Sequence, residues 1–262
     1  MSELTPLILV TNDDGVHAPG LFALAKAMKT LRGGDVEVVV IAPDRERSAV
    51  GHALTMHRPL FCEELREGVF AINGTPTDCV AIGVKKILKR RPVLIASGIN
   101  RGGNLGDDIT YSGTVSAAVE GTLIGIPSIA VSIDGASHLH YADTGRVAAI
   151  VAAHVLERGL PPDTLLNVNA PNIPWDELRG IRFTGQGKRT YDDAIQEVRD
   201  PRGRAHYWLG GGTPVFRGGE ETDIHAVAQG FVSVTPLHLD LTNYDALRMI
   251  ETDWAGMTRL KP

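Results

Sequence analysis

Short, largely apolar runs alternate with segments of helical period along the first two-thirds of this chain, and that alternation constrains the fold more than any other feature. The runs are 7–10, 36–41, 93–96, 129–131 and 165–168. They fit strands buried on both faces of a sheet. Between them, Leu21, Leu24, Ala25 and Met28 follow helical spacing and predict a helix over about 20–30. Thr77 or Asp78 can cap a helix reaching about residue 89. Ser112-Gly113-Thr114 opens a helix carrying Val115, Ala118, Val119 and Leu123, and 145–157 reads as another. Segments 61–64 and 69–72 suggest a short β pair. The βαβ rhythm implies an α/β fold, a mostly parallel sheet with helices on both faces.

The rhythm weakens after about residue 171. Segments 181–184 and 232–234 look like strands, separated by a polar stretch, 186–221, with Trp208 and Gly210-Gly211-Gly212. A compact domain seldom carries so long an irregular segment. An extended hairpin that pairs with another subunit and a locally folded β subdomain both fit it. The expected division is a catalytic core over 1–180 and a C-terminal region over 181–262, with an arm, a return strand and a helix, together one functional domain.

Three polar loops follow three of the predicted parallel strands, and such loops emerge on one edge of the sheet. The first, after Leu7-Ile8-Leu9-Val10, reads Thr11-Asn12-Asp13-Asp14-Gly15. Adjacent carboxylates repel, so keeping both ionised calls for a cation. The second, 42–51, supplies Ser48, and the third, 97–112, supplies Asn100 and Asn104. Two carboxylates, a hydroxyl and an amide carbonyl form an all-oxygen set suited to Mg²⁺, Mn²⁺ or Ca²⁺ rather than zinc. Ser112-Gly113-Thr114 at a helix start offers N–H groups and a positive dipole end to a phosphate. Taken singly, each feature is an ordinary turn or cap; the functional reading rests on their convergence.

Composition narrows the alternatives. The chain has 262 residues, 43% hydrophobic and 22% charged, with net charge −5. That excludes nucleic-acid binding through a basic field. Apolar runs stop well short of a membrane span, and no export leader is visible. Cys62 and Cys79 form no framework, so a reducing, cytoplasmic setting is expected. His138 and His140 have no carboxylate partner nearby in sequence and read as loop residues rather than a zinc site. His17, His52 and His57 lie near the loops, where incidental polar contacts are the expectation. No G-x-G-x-x-G follows the first strand, and no G-x-S-x-G elbow occurs. Gly187-Lys188 fails as a Walker loop, because Arg182 and Arg189 stand where Gly and Ser/Thr are needed. An aspartyl-phosphate phosphatase of the haloacid-dehalogenase type needs an Asp two residues after the nucleophile, where this chain has Gly15.

The ordered motifs together closely resemble the SurE family, the metal-dependent nucleoside monophosphate phosphatases of stationary-phase survival. They are Ile8-Leu9-Val10-Thr11-Asn12-Asp13-Asp14-Gly15, Ala42-Pro43-Asp44-Arg45-Glu46-Arg47-Ser48-Ala49, Gly74-Thr75-Pro76-Thr77-Asp78-Cys79-Val80, Ser97-Gly98-Ile99-Asn100-Arg101-Gly102-Gly103-Asn104 and Ser112-Gly113-Thr114-Val115-Ser116-Ala117-Ala118. The likeness continues to Val234-Thr235-Pro236-Leu237. It implies a Rossmann-like, three-layer αβα fold with a C-terminal arm exchanged between subunits of a homodimer or homotetramer. It implies hydrolysis of nucleoside 5′- and 3′-monophosphates, sometimes with exopolyphosphatase activity. One divalent metal per subunit is implied on Asp13, Asp14, Ser48 and Asn100. Asn12, Asn104, Ser112, Gly113 and Thr114 fall where the family lines its phosphate pocket. Asp13 and Asp14 are the expected catalytic pair. The rival readings are a covalent phosphatase with Asp13 as nucleophile and a metal-dependent nucleotide-binding or sensory module without turnover.

Overall fold

Every residue of Leu7–Thr11 (β1) is buried, because successive side chains feed two different cores. Ile8 and Val10 point to one side, and Leu7 and Leu9 to the other, the period of two that a pleated strand imposes. The structure, a computed structural model, describes residues 5–192, 195–209 and 213–254. After β1 come α1 (Pro19–Met28), β2 (Glu37–Pro43), β3 (Cys62–Arg66), β4 (Val69–Ile72) and α2 (Pro76–Ile82). Then follow β5 (Leu94–Arg101), α3 (Gly113–Leu123), β6 (Ser128–Asp134), α4 (Tyr141–Arg158), β7 (Thr164–Pro171) and β8 (Ile181–Phe183). The last third holds β9 (Lys188–Asp192), β10 (Ile195–Arg199), β11 (Ala205–Leu209), β12 (Thr213–Arg217), α5 (Asp223–Ala228), β13 (Val232–His238) and α6 (Tyr244–Asp253).

The main sheet has the order β3-β4-β2-β1-β5-β6-β7-β13-β8. The six strands from β4 to β7 are mutually parallel. β3 runs antiparallel at one edge, and β13 runs antiparallel to β7 with β8 parallel beside it. Leu21, Leu24, Val147 and Val151 of α1 and α4 cover one face, against Ile8, Val10, Val131 and Val168. Cys79, Val80 and Ala117 of α2 and α3 cover the other, against Leu7, Leu9, Ile41 and Ile95. This is a three-layer αβα, Rossmann-like architecture. No helix among the described residues is long and apolar enough to cross a membrane.

Local boundaries depart from the sequence expectation where a polar residue has a use that periodicity does not register. β5 continues through Ser97 to Arg101 instead of ending in a loop. A register shift between Ser97 and Asn100 lets the strand resume, with Asn100 opposite Ser132 and Arg101 opposite Ile133. Gly98 makes this possible, since a Cβ there would lie 2.2 Å from the carbonyl oxygen of Val131. The cap of α2 is Thr75, not Thr77 or Asp78, with Pro76 in the first turn, where its missing N–H costs nothing. α2 also ends at Ile82 and passes into a wide π-type turn over Gly83–Ile87. α4 starts a turn earlier than expected, at Tyr141.

Thr75 and Asp78 form a reciprocal capping box: the Asp78 N–H donates to Thr75 Oγ1 at 3.1 Å, and the Thr75 N–H donates to Asp78 Oδ2 at 2.8 Å. Thr75→Ala should cost about 1–2 kcal/mol. Thermal unfolding followed by circular dichroism should show a fall of roughly 3–6 °C; an unchanged midpoint would remove the cap from the account.

Within 186–221 the chain forms a nested hairpin, β9 pairing with β12 and β10 with β11. The Gly210-Gly211-Gly212 run lies outside the described residues. Tyr207 and Trp208 are neighbours on opposite faces of the β10/β11 ribbon, and both are exposed. The segment is therefore an extended arm, because a folded subdomain would bury one of those faces. Beyond it, α6 buries none of its residues, and Leu247, Met249 and Ile250 are exposed.

Candidate active site

β1 lies between β2 and β5, so the chain leaves it in one direction and later resumes on its other side. Such a switch point opens a crevice at the carboxyl ends of the strands. The three loops meet there around a cleft of about 300 Å³. Asp13, Asp14, Ser48, Asn100, Asn104 and Ser112 all line it.

Close backbone approach draws the loops together. Gly15 has φ +97°, and a Cβ there would sit 2.8 Å from the Arg45 carbonyl carbon. The Val16 N–H donates to the Pro43 carbonyl at 2.8 Å, and the Arg47 N–H to the Asp13 carbonyl at 2.7 Å. The Arg101 N–H donates to Asp14 Oδ2 at 3.2 Å, tying the first loop to β5. At the start of α3, a Cβ on Gly113 would fall 2.8 Å from that of Asp13, so only glycine lets the helix come this near. The Thr114 hydroxyl donates to Asp13 Oδ1.

The remaining side chains are held individually. Ser112 caps α3, its hydroxyl accepting from the Val115 N–H at 3.1 Å. Ser48 Oγ donates to Glu46 Oε1 at 2.7 Å. Asn100 Nδ2 donates to the Gly102 carbonyl at 2.8 Å, which leaves its side-chain oxygen for another partner. Asn104 Nδ2 donates to Ser132 Oγ at 2.7 Å, and its backbone is gripped by Asn167 and Asn169. Asn12, Gly113 and Thr114 lie beneath the cleft, not on its surface. Asn12 Nδ2 donates to the Gly15 carbonyl at 3.0 Å, while its Oδ1 is buried with no partner among the described residues.

Burial pushes the Asp13 carboxyl up to about 6, with the Thr114 hydroxyl opposing and the Asp14 charge adding to the rise. Burial also raises Asp14, opposed by the Arg101 N–H and reinforced by Glu46. Carboxylates crowded so that each resists ionisation, beside a hydroxyl and an amide oxygen, fit a hard divalent cation. Among the described residues no group of three or more His, Cys, Asp or Glu side chains is arranged for a metal, so any cation here depends on the serine and asparagine oxygens as well.

Sequence reasoning assigned no role to Glu46, Arg101, Asp108 or Tyr111, which also line the cleft. Glu46 lies two residues before Ser48 in the same loop, and that nearness was its available signal. Of the histidines near the loops, His52 pairs with Glu120 of α3 at 3.1 Å. His140 pairs at 3.4 Å with Asp143, three residues on, so the expectation that it has no carboxylate nearby in sequence does not hold.

The arm is rooted at this cleft. Asp223, fully buried, accepts from the Gly106 N–H at 2.9 Å and the Gly187 N–H at 2.8 Å. Asp107 pairs with Lys188 at 3.0 Å, and Asp108 with Arg189 at 2.8 Å.

The chain matches the sequence family described as "Survival protein SurE" over residues 8–193. It is 58% identical over 246 residues to a Geobacter sulfurreducens protein named 5′-nucleotidase SurE, covering 94% of this chain and 92% of the relative. It is 57% identical over 253 residues to the Geobacter metallireducens protein of the same name, covering 96% and 99%. The crystal structure of the SurE protein from Aquifex aeolicus superposes with a TM-score of 0.83 at 45% identity, over 94% of this chain and 99% of that one.

Proposed function

The chain belongs to the survival protein SurE family, and from that premise we propose that it is a metal-dependent phosphomonoesterase releasing phosphate from nucleoside 5′- and 3′-monophosphates. The observation that carries the reading is the meeting of Asp13 and Asp14 with Ser48 and Asn100 in the crevice beside β1. Asp13, Asp14, Ser48 and Asn100 would hold one divalent cation per subunit, Mg²⁺ or Mn²⁺, with Ca²⁺ also accommodated by oxygen donors. When bound, the cation draws charge from a phosphoryl oxygen and lowers the pKa of water.

The chain's own groups do the rest. The α3 N-terminus and the Ser112 hydroxyl face the non-bridging phosphoryl oxygens. Asn104 spends one side-chain N–H on Ser132 and has a second for the substrate. Asp14 is more open than Asp13 and free of the Thr114 hydroxyl, so it is the carboxylate placed to accept the proton of the attacking water. Asn12 and Thr114 act from below, holding the turn and the Asp13 carboxylate. Core 1–180 carries the chemistry, and the exposed arm within the 181–262 region is read as the part exchanged between subunits of a homodimer or homotetramer. Short polyphosphate chains present the same terminal phosphoryl group and are read as secondary substrates.

Phosphate release from a panel of nucleoside 5′- and 3′-monophosphates, with EDTA, Mg²⁺ or Mn²⁺, tests this reading. Release should appear only with metal. Folded protein that releases none under any condition would sink it, and saturable nucleotide binding in that case would favour a binding module.

A further inference from the structure

Asn104 lies in the loop after β5, and two asparagines of β7 hold its main chain from two strands away. Asn169 Oδ1 accepts from the Asn104 N–H at 2.8 Å, and Asn169 Nδ2 donates to the Asn104 carbonyl at 3.1 Å. These two bonds fix the Asn169 amide, since exchanging its oxygen and nitrogen would set donor against donor and acceptor against acceptor. Asn167 Nδ2 donates to the same carbonyl at 2.9 Å. The Asn104 main chain has no other hydrogen-bond partner among the described residues. From β6, the strand between, Ser132 Oγ accepts one N–H of the Asn104 side chain at 2.7 Å.

Packing alone does not call for polar residues there. Ser132, Asn167 and Asn169 are fully buried, and none of them lines the cleft. Two residues earlier on the same face, Ala130 and Leu165 pack with Val115 and Ala118 of α3. Strands covered on both faces would carry that apolar pattern onward. The chain instead places three polar side chains at the cleft ends of β6 and β7. It also leaves Asn167 Oδ1 buried with no partner among the described residues. A buried, unpaired oxygen is destabilising, so what the asparagine contributes is its N–H on Asn104.

We propose that Ser132, Asn167 and Asn169 are positioning residues for phosphomonoester hydrolysis. They orient the Asn104 amide so that its remaining N–H meets a non-bridging phosphoryl oxygen. A donor held in place beforehand needs no reorganisation as charge develops on that oxygen. The inference rests on the phosphomonoesterase reading and extends the machinery to buried groups of β6 and β7.

A double-mutant cycle in the full-length chain tests it. Ser132→Ala removes the side-chain anchor and Asn169→Ala the main-chain one, each made in the parent and in an Asn104→Ala background. With Mg²⁺ and AMP, each should lower kcat/KM by about tenfold or more in the parent, mainly through kcat. In the Asn104→Ala background each should change it by less than about twofold, because the amide they orient is gone. Losses of equal size in both backgrounds, or none in the parent, would overturn the positioning role. Asn169→Ala should lower the melting midpoint alike in both backgrounds, so a purely structural effect cannot imitate the cycle. Ser132→Ala deletes a single oxygen and carries the test if Asn169→Ala does not fold. Calorimetric titration with orthovanadate, which mimics the five-coordinate transition state, repeats the cycle without turnover. A parent that binds vanadate with the same pattern of losses, yet releases no phosphate from AMP, would fail the phosphomonoesterase reading alone. A parent that neither binds vanadate nor releases phosphate overturns both.

Discussion

Asp13→Asn should lower phosphate release by about a thousandfold or more and yet make the metal-free protein more stable at neutral pH. The first effect follows from the role proposed for Asp13, a charged ligand at the centre of the site. The second follows from burial, which lifts the Asp13 carboxyl from its ordinary 3.8 to about 6. A group whose folded pKa lies above its unfolded value contributes stability below the unfolded value and loses it as pH rises through the folded one. In metal-free protein the native state is therefore penalised progressively from about pH 4 to about pH 6, reaching about 3 kcal/mol above that range. Asparagine keeps an oxygen for the Thr114 hydroxyl but carries no charge. The variant should melt several degrees above the parent at pH 7.5 in EDTA, and the gap should close below pH 4. Adding Mn²⁺ should stabilise the parent and not the variant. Near-normal turnover, or a melting difference that ignores pH, would refute this account of Asp13.

Asp223→Ala should destabilise the protein by about 2–4 kcal/mol. Besides the N–H of its neighbour Ile224, the buried carboxylate accepts from the backbone N–H groups of Gly106 and Gly187, from segments far apart in sequence. Alanine strands both donors in a dry site, and each unsatisfied buried donor costs about 1–3 kcal/mol. Asp223→Asn keeps one oxygen acceptor and should lose roughly half as much. Denaturant titration gives the stability change. Hydrogen exchange should then speed up at 104–111 and 186–190 together, since the same clamp holds both. Faster exchange in only one segment would show that Asp223 does not couple the arm to the cleft.

The parallel core of the fold was legible in the sequence because a strand covered on both faces must be apolar through its middle, as 7–10 of β1 and 129–131 of β6 are. Convergence of the loops was legible for a related reason: parallel strands send their carboxyl ends to one edge, so Asp13, Ser48 and Asn100 had to emerge together. The β5 boundary was not legible. Glycines and asparagines signal a loop, and only the approach of Gly98 to the Val131 carbonyl shows that they form a bulge within a strand. The Thr75 cap was missed because Thr77 and Asp78 are chemically as good, and the choice rests on which backbone the helix start engages.

By itself the sequence determined the αβα layering, the edge on which polar loops gather and the residue types offered to a cation and a phosphate. These depend on burial period and on local backbone preference, which a single chain segment expresses. Tertiary structure alone decided that Thr114 reaches Asp13, that Glu46 and Arg101 bear on Asp14, and that Asp223 fastens the arm to the cleft. Buried polar groups must find partners wherever the fold brings them, and sequence separation places no limit on which partner that is.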